Sequence, residues 1–463
     1  MPGKRILILT ILFIRAITVY SQHDSVTVAR ISISGNNKTK ESIILREISF
    51  MPGQRFHRNQ LSREIERSQS MLINTLLFNF VEVKEVPIDS VYSDVFIFLK
   101  ERFYLWPIPV FKFADPNFNT WWLTKDFTRT NYGLVILKKN FRGRNEDLGA
   151  KVQLGYSKEF AATYRLPYFT KRQKLGGGLW ASYVQNNEVT IGTKDNKRIF
   201  YTGDNGNSRD ELSFRAYLSY RAKIHSWHTL EYRHNRIRVV DSVQAQSGQY
   251  LQNNAAIMTF PSLYYTLKID RRDNKGYPLE GRYTQMEITK HGFFNVGQNS
   301  PNILQLYLLH TELFRASNSL FFAMQFRGKI IPTKNLPYYF QEGLGYQHYV
   351  RGYEYYVIDG QNFAMFRSNV KYRLFGPKIH DLDFLQGTNF SKLHYAFYLN
   401  LYIDAGYVQD RRYYTENPLA NQMLYGTGIG LDFVSFYDKV IRFEYSMNKE
   451  LEKGFFIHFI KPI

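Results

Sequence analysis

The sequence predicts a small α+β domain followed by an all-β transmembrane barrel of about 16 antiparallel strands. Helical periodicity is confined to residues 26–101, whereas apolar and polar residues alternate with period two from about residue 103 onward. Aromatic residues make up 17% of the chain, yet the mean hydropathy is −0.36, which excludes a bundle of membrane-spanning helices. We therefore expect three segments: residues 1–21, 22–102 and 103–463.

The first segment, residues 1–21, has the pattern of an export signal peptide. Lys4 and Arg5 precede an apolar run from Ile6 to Ile14, and small or polar residues follow before Gln22. The mature chain is expected to start near Gln22. The alternative is an uncleaved membrane anchor, but a spanning helix needs roughly 20 apolar residues.

Composition limits the chemistry that the chain can perform. It has no cysteine, which excludes disulfides, thiolate metal sites, a cysteine nucleophile and a lipid-modified cysteine. Its net charge is +20, but the basic residues are dispersed among aromatics, a pattern that fits anionic lipid or lipopolysaccharide better than nucleic acid. We find no nucleophile–base pair, phosphate loop or metal cluster in the sequence, and predict no enzymatic activity and no cofactor.

Residues 26–101 read in the order strand, helix, helix, strand, strand. Val26–Ser34 alternates as a strand, and apolar residues recur at helical spacing over residues 39–48 and 61–76. Two further alternating runs, Phe80–Val86 and Asp94–Leu99, complete the segment.

Four short patterns occur along this segment: Ile31-x-Ile33-x-Gly35-Asn36, Ile44-x-Arg46, Pro52-Gly53 and Leu72-x-x-Thr75-x-x-Phe78-x-x-Val81-x-Val83. Their residues and spacing resemble the POTRA domain, the periplasmic module of the BamA superfamily. The resemblance implies that the domain binds extended clients or partner subunits, for which strand addition to a sheet edge is the available physical route. One such domain is apparent in the sequence, whereas BamA and TamA carry several. An unrelated α+β domain is the alternative.

From residue 103 onward, runs of about ten residues alternate between the two faces of a strand. In Phe214–Arg221 the apolar side chains share one face, and Arg215, Ser219 and Arg221 share the other. An apolar outer face and a polar inner face are typical of a transmembrane barrel, with a soluble sandwich as the alternative. The predicted strands are residues 105–113, 130–140, 147–157, 160–169, 174–186, 210–223, 226–239, 260–271, 281–292, 302–314, 319–331, 361–375, 393–407, 424–434, 438–448 and 453–461.

Two motifs in the last third of the chain are expected to meet. Val350-Arg351-Gly352-Tyr353 lies in the sixth predicted outer loop, and alternation places Asp404 on the inner face of a later strand. A 16-stranded barrel with this loop motif resembles BamA, TamA and the two-partner-secretion transporters, which implies a loop that enters the lumen and an Arg351–Asp404 contact. An ordinary Arg-Gly turn is the alternative. The predicted loop-to-barrel lock comprises Arg351, Gly352, Tyr353, Tyr402, Asp404 and Gly406.

A second motif, Asp270-Arg271-Arg272-Asp273, falls in a predicted periplasmic turn. Its two aspartates admit a metal or acid–base interpretation, but no histidine or third carboxylate lies nearby in sequence, which favours a salt-bridged turn. The chain also departs from the superfamily pattern at Lys371, where many members carry an acidic residue. A second partner for Arg351 at that position is therefore not expected.

The first predicted strand contains two prolines, Pro107 and Pro109, at positions whose backbone groups point to the same neighbour. If that neighbour is the last strand, which is expected to carry Gly454 and Pro462, the closing seam is short of hydrogen bonds. We hypothesise a lateral seam that opens to a client strand. The alternative places both prolines in a linker before the barrel.

These patterns predict a protein of the BamA and TamA type that inserts or translocates proteins at the bacterial outer membrane, with its POTRA domain in the periplasm. The expected partners are unfolded outer-membrane or exported proteins, outer-membrane lipid or lipopolysaccharide, and accessory periplasmic proteins or lipoproteins. A two-partner-secretion-like transporter for one dedicated exoprotein, and a passive channel or receptor, are the alternatives.

Overall fold

The structure is a computed structural model that describes residues 25–113, 125–170, 174–203, 207–247, 249–293, 296–381, 392–412, 414–435 and 439–460. The predicted signal peptide and Pro462 lie outside these residues. The chain divides into two compact units, and the first boundary between them falls between Phe103 and Tyr104. Among the described helices, none has the length and apolar character needed to cross a membrane.

The first unit has a four-stranded sheet with two helices. The order in the sheet is β2-β1-β4-β3, with β1 parallel to β4 and the other pairs antiparallel. The longer helix buries Leu61, Ile65 and Leu72, the face that its periodicity predicts. The three-residue strand β2 was not predicted, because so short a segment shows no period. The elements are β1 Ser25–Ser34, α1 Glu41–Leu45, β2 Arg55–His57, α2 Arg58–Asn74, β3 Phe78–Pro87 and β4 Tyr92–Glu101.

The second unit is a 16-stranded sheet, which confirms the predicted fold class. Every strand pairs antiparallel with the next strand of the sheet along the chain, and β10 and β11 form a separate hairpin between β9 and β12. The strands are β5 Leu105–Phe113, β6 Thr130–Phe141, β7 Glu146–Gly155, β8 Ser157–Leu166, β9 Leu175–Asn186, β10 Glu188–Lys194, β11 Lys197–Thr202, β12 Arg209–Lys223, β13 Ser226–Val239, β14 Ile257–Asp270, β15 Gly281–His291, β16 Ile303–Arg315, β17 Leu320–Ile330, β18 Asn362–Asp381, β19 Lys392–Gln409, β20 Met423–Ser435, β21 Lys439–Asn448 and β22 Lys453–Ile460, with helix α3 at Asp241–Ser247.

In this sheet the apolar face is exposed and the polar face is buried, which is the opposite of the arrangement in soluble proteins. Along β19, Leu401 and Ile403 are 52% and 65% exposed, whereas Asn400, Tyr402 and Asp404 between and beside them are buried. An apolar exposed face and a polar buried face are what a barrel surrounded by lipid requires.

Several regions differ from the prediction. Helix α3 (Asp241–Ser247) lies in a segment for which no helical period was predicted, and β8 begins at Ser157 rather than at residue 160. Residues 187–209 were expected to be a loop, but they contain the hairpin β10–β11. Strand β18 ends at Asp381 rather than at the predicted residue 375, because irregular pairing between Arg373 and Lys378 interrupts the period there.

Candidate functional site

The loop of residues 331–361, which joins β17 to β18, folds back onto the polar face of the sheet. Leu344 and Ile358 exchange two backbone hydrogen bonds of 3.0 and 2.8 Å, which close the loop on itself. Its apolar side chains pack against residues of β18, β19 and β20 and the loop before β20. This buried cluster comprises Leu344, Val350, Tyr353, Ile358, Phe363, Met365, Val408, Leu419, Ala420 and Leu424.

Arg351 and Asp404 form a buried bidentate ion pair. The guanidinium Nε donates to Asp404 Oδ2 at 2.7 Å, and Nη2 donates to Oδ1 at 2.6 Å. Arg351 is 1% exposed and Asp404 is 0% exposed. Burial on its own lowers the pKa of Arg351, but the adjacent Asp404 carboxylate outweighs it, and the pKa is raised. The Asp404 carboxylate therefore favours the charged form of the Arg351 guanidinium, and a charged donor makes the stronger hydrogen bond.

The remaining donors and the flat face of Arg351 also have partners. Nη1 donates to Asn369 Oδ1 at 2.8 Å, and Nη2 donates to the Ser368 carbonyl at 3.0 Å. The guanidinium lies 3.7 Å from the ring centroid of Tyr402, whose hydroxyl contacts Ser446 Oγ at 2.6 Å. A planar cation that uses its edge and its face together is specific to arginine.

Glycines make room for the loop where it meets the strands. A Cβ on Gly406 would lie 2.5 Å from Val350 Cγ2, and a Cβ on Gly426 would lie 1.7 Å from the Arg351 carbonyl oxygen. Gly352 has φ 95°, a conformation that residues with a Cβ rarely adopt. Thus all six predicted lock residues lie at this contact: Arg351, Gly352, Tyr353, Tyr402, Asp404 and Gly406.

A chain of polar contacts continues from the lock toward the opposite end of the strands. Arg351 Nη1 lies 3.5 Å from Glu444 Oε1, and Glu444 lies 3.4 Å from Arg442. Arg442 Nη2 donates to Asp432 at 2.8 Å, and Asp432 accepts at 2.8 Å from the hydroxyl of Tyr277. The network therefore runs without a gap from the loop to the turn between β14 and β15.

That turn contains the second sequence motif. Asp270 accepts two hydrogen bonds of 2.8 Å from Arg272, and Asp273 accepts from the backbone N–H of Leu279 at 3.1 Å. The motif forms a salt-bridged turn that places Tyr277 on the polar face. Lys371 points to the same ring, with Nζ 4.6 Å from its centroid.

Hairpin β10–β11 covers part of the same loop. Asp359 is 1% exposed and accepts hydrogen bonds from Thr193 at 2.8 Å, Tyr338 at 2.9 Å and Tyr346. Burial raises the pKa of Asp359 to about 6. The backbone N–H of Val357 donates to the Asn196 carbonyl at 2.9 Å, so the hairpin tip is joined to the loop by main-chain contacts as well.

Of the predicted seam residues, the three that the structure describes, Pro107, Pro109 and Gly454, lie in the two outermost strands of the sheet. Within the described residues, β5 pairs with β6 and β22 pairs with β21. Both prolines belong to β5, so the linker interpretation is wrong. The backbone N–H of Lys139 donates to the Tyr104 carbonyl at 2.7 Å. Because backbone hydrogen bonds alternate along an antiparallel pair, the even-numbered residues of β5 direct their N–H and C=O groups to β6, and the odd-numbered residues direct theirs away from it. Pro107 and Pro109 consequently direct their missing N–H positions to the edge of β5 that lies opposite β6. Gly454 lies in β22 opposite Ser446.

Sequence reasoning missed several residues of the site: Asn369, Gly426, Asp432, Arg442 and Glu444. Their strands were predicted, and alternation places each on the polar face. No local signal distinguishes them from other inward residues, because their role depends on pairing between strands.

Comparisons with known proteins identify the family. The sequence model of the Omp85 superfamily domain matches residues 140–453, and a POTRA model described as a surface antigen variable number repeat matches residues 26–102. The chain belongs to the Omp85 superfamily. This confirms the resemblance to BamA and its relatives that the motifs indicated.

Solved structures with a similar fold include CdiB from Escherichia coli, with a TM-score of 0.55 and 13% identity, covering 94% of this chain and 74% of that chain. BamA from Haemophilus ducreyi lacking POTRA domains 1-3 aligns with a TM-score of 0.49 and 16% identity, covering 94% and 83% of the two chains. None of the curated protein sequences matches this chain.

Omp85 membership places the protein among outer-membrane β-barrels and supports a role in protein insertion or translocation there. Omp85 proteins act as insertion or transport factors rather than as enzymes. The polar face of the sheet is then the lumen of the barrel, and loop 331–361 lies inside it.

Proposed function

We propose that this Omp85 protein inserts proteins into the outer membrane, or translocates them across it, by offering the edge of β5 opposite β6 as a template for a client strand. The observation that carries this proposal is the position of Pro107 and Pro109 on that edge. Proline has no backbone N–H, so β5 lacks two of the donors that would pair it with the strand that closes the barrel. Fewer hydrogen bonds then hold this seam together, and opening it costs less free energy.

The lock has a positioning role in this mechanism. Arg351 and Asp404 hold loop 331–361 in the lumen, where the loop also contacts β21 through Glu444 and β22 through His458. A fixed loop supports the last strands while the edge of β5 engages a client.

The POTRA domain supplies the capture step in the periplasm. Strand β3 is an edge of its sheet, and Phe80 and Val86 on this strand are each 45% exposed. An extended segment of an unfolded outer-membrane or exported protein adds to such an edge through main-chain hydrogen bonds, with the exposed apolar side chains as contact surface. Accessory lipoproteins bind the same domain, and the barrel surface contacts lipid and lipopolysaccharide.

Depletion of the protein, followed by quantification of the outer-membrane proteome, tests the proposal. A broad loss of barrel proteins that is rescued by the wild type but not by Arg351→Ala is the result expected of an insertase. Rescue by Arg411→Ala, which alters an exposed arginine near the start of the loop between β19 and β20, is the matched control. Loss of one or two exported proteins would indicate a dedicated transporter instead. An unchanged proteome would contradict an assembly role.

A disulfide between one cysteine placed in β5 and one placed in β22 tests the seam. Because the chain has no cysteine of its own, the engineered pair provides the only thiols. We expect activity to be lost on oxidation and restored on reduction. Full activity of the oxidised protein would exclude a gate at this edge.

A further inference from the structure

Three side chains with metal-binding atoms converge beside the lock. Glu354 comes from loop 331–361, Glu444 from β21 and His458 from β22. One ligand atom of each lies within 4.8 Å of the other two. The two carboxylates are buried, and the histidine side chain is 14% exposed.

His458 is oriented as a metal ligand would be. Its Nε2 lies 3.2 Å from Glu444 Oε2, close to the roughly 3.3 Å that separates two ligand atoms around a tetrahedral Zn²⁺. The other ring nitrogen, Nδ1, lies 3.3 Å from the hydroxyl of Tyr349, and the two rings stack at 5.8 Å. A hydrogen bond on the second nitrogen that fixes the ring is typical of metal-bound histidines.

Glu354 is held in place from the same side. Its Oε2 accepts the backbone N–H of Gly352 at 2.8 Å, which anchors the carboxylate next to the lock. The short connection from Gly352 to Glu354 ties the position of this ligand to the position of Arg351.

The charges around the cluster favour an added cation. Arg351 and Arg442 face Glu444 at 3.5 and 3.4 Å, but each makes closer bonds, of 2.6 and 2.8 Å, to Asp404 and Asp432 respectively. The arginine charges are thus mainly matched by other carboxylates. Glu444 and Glu354 bring two more carboxylates into the same buried space, and a divalent ion would offset their repulsion.

We propose that Glu354, Glu444 and His458 form a binding site for a divalent transition metal, with Zn²⁺ as the preferred ion. One imidazole nitrogen and two carboxylates suit Zn²⁺ better than Mg²⁺ or Ca²⁺, which take oxygen ligands almost exclusively. Binding ties loop 331–361 to the last two strands of the barrel. The metal therefore reinforces the docking of the loop without taking part in the Arg351–Asp404 pair.

The test uses the full chain in detergent, without a polyhistidine tag, and Co²⁺ as a spectroscopic probe for Zn²⁺. The wild type is expected to bind one equivalent of Co²⁺ with the visible absorption of a tetrahedral site, and Zn²⁺ is expected to displace it. Glu354→Gln and His458→Gln are expected to lose this band. Tyr349→Phe, which keeps the ring but removes the hydroxyl, is expected to weaken binding by about 10- to 100-fold.

His310→Gln is the matched control, because His310 Nε2 lies 3.4 Å from Glu312 as in the site but both side chains are 43% exposed. It should bind Co²⁺ as the wild type does. Zn²⁺ should also slow tryptic cleavage after Arg351 in the wild type but not in Glu354→Gln. A folded band of unchanged mobility in gels would show that each variant is folded. Absence of the tetrahedral band in the wild type, or wild-type binding by Glu354→Gln and His458→Gln, would overturn the proposal.

Discussion

No other residue type can make the contacts that Arg351 makes. Its guanidinium bonds Asp404, Asn369 and a main-chain carbonyl in one plane, and its face rests on Tyr402. A lysine carries the same charge but has no planar fork and no flat face. The pair therefore depends on geometry as much as on charge.

Arg351→Ala is expected to undock loop 331–361, because it leaves the Asp404 carboxylate buried without its main partner. Breaking a buried pair in this way costs about 3–5 kcal/mol. Hydrogen exchange of backbone amides in residues 344–358 measures the change. The exposed Arg411→Ala should leave that exchange unaltered.

The double variant Arg351→Ala/Asp404→Ala separates the pair from its surroundings. Removing both charges also removes the unpaired carboxylate. The loss of protection from hydrogen exchange in residues 344–358 should therefore be smaller in the double variant than the sum of the losses in the two single variants. Additive effects would mean that the two side chains do not act as a pair.

Gly426→Ala tests the room that the loop requires. The added Cβ would lie 1.7 Å from the Arg351 carbonyl oxygen, so the loop or strand must shift, at a cost of about 1–3 kcal/mol or more. We expect faster tryptic cleavage after Arg351. Gly328→Ala in β17 is the control, because its Cβ would meet no atom closer than 3.6 Å. Equal cleavage of both variants would contradict a tight contact at Gly426.

At the scale of elements, the hairpin β10–β11 and loop 331–361 depend on the ionisation of Asp359. Its pKa of about 6 lies above the ordinary 3.8, because burial outweighs the hydrogen bonds from Tyr338, Tyr346 and Thr193. A carboxyl group with a raised pKa favours the folded contact while it is protonated. The contact is therefore most stable below about pH 4 and weakens as the pH rises through about 6.

The expected loss over this pH range is about 3 kcal/mol at most, from 1.36 kcal/mol for each pKa unit. Exchange of the backbone amides of residues 193–196, corrected for the intrinsic rate, measures it. Asp359→Asn should remove the dependence between pH 4 and 6. A slope in that variant equal to the wild-type slope would assign the effect to another group.

The sequence predicted most elements because lipid imposes a regular pattern on each strand. Strands such as β13 (Ser226–Val239) and β5 (Leu105–Phe113) were predicted with the bounds that the structure has. The hairpin β10–β11 was missed, because one side of it packs on other loops rather than on lipid, so its alternation is weak. In β18 the period of two is interrupted for a different reason, which is the irregular pairing near Gly376.

At the scale of the whole barrel, the polar network couples two distant parts of the chain. It runs from Arg351 through Glu444, Arg442 and Asp432 to Tyr277. Side chains that share one network respond together when any of them is removed.

Tyr277→Phe is expected to weaken the loop at a distance. It removes the hydroxyl that donates to Asp432, a loss of about 1–3 kcal/mol for a bond to a charged acceptor. In combination with Arg351→Ala, its effect on exchange in residues 344–358 should be non-additive. Tyr283→Phe, whose hydroxyl donates to Gln285 outside the network at 2.8 Å, is the control. Additivity of Tyr277→Phe and Arg351→Ala would show that the network does not transmit the change.

The sequence by itself determined the strand number, the POTRA pattern and the Arg351–Asp404 pair. Each is encoded locally, in a period of two, in turn residues or in a motif that family resemblance recognises. Only the tertiary structure decided which edge Pro107 and Pro109 face, where Asn369 and Gly426 meet the loop, and that Glu354, Glu444 and His458 converge. Those contacts join residues up to about a hundred positions apart in the chain. Strand register and the path of the loop bring these residues together, and no local pattern in the sequence encodes either of them.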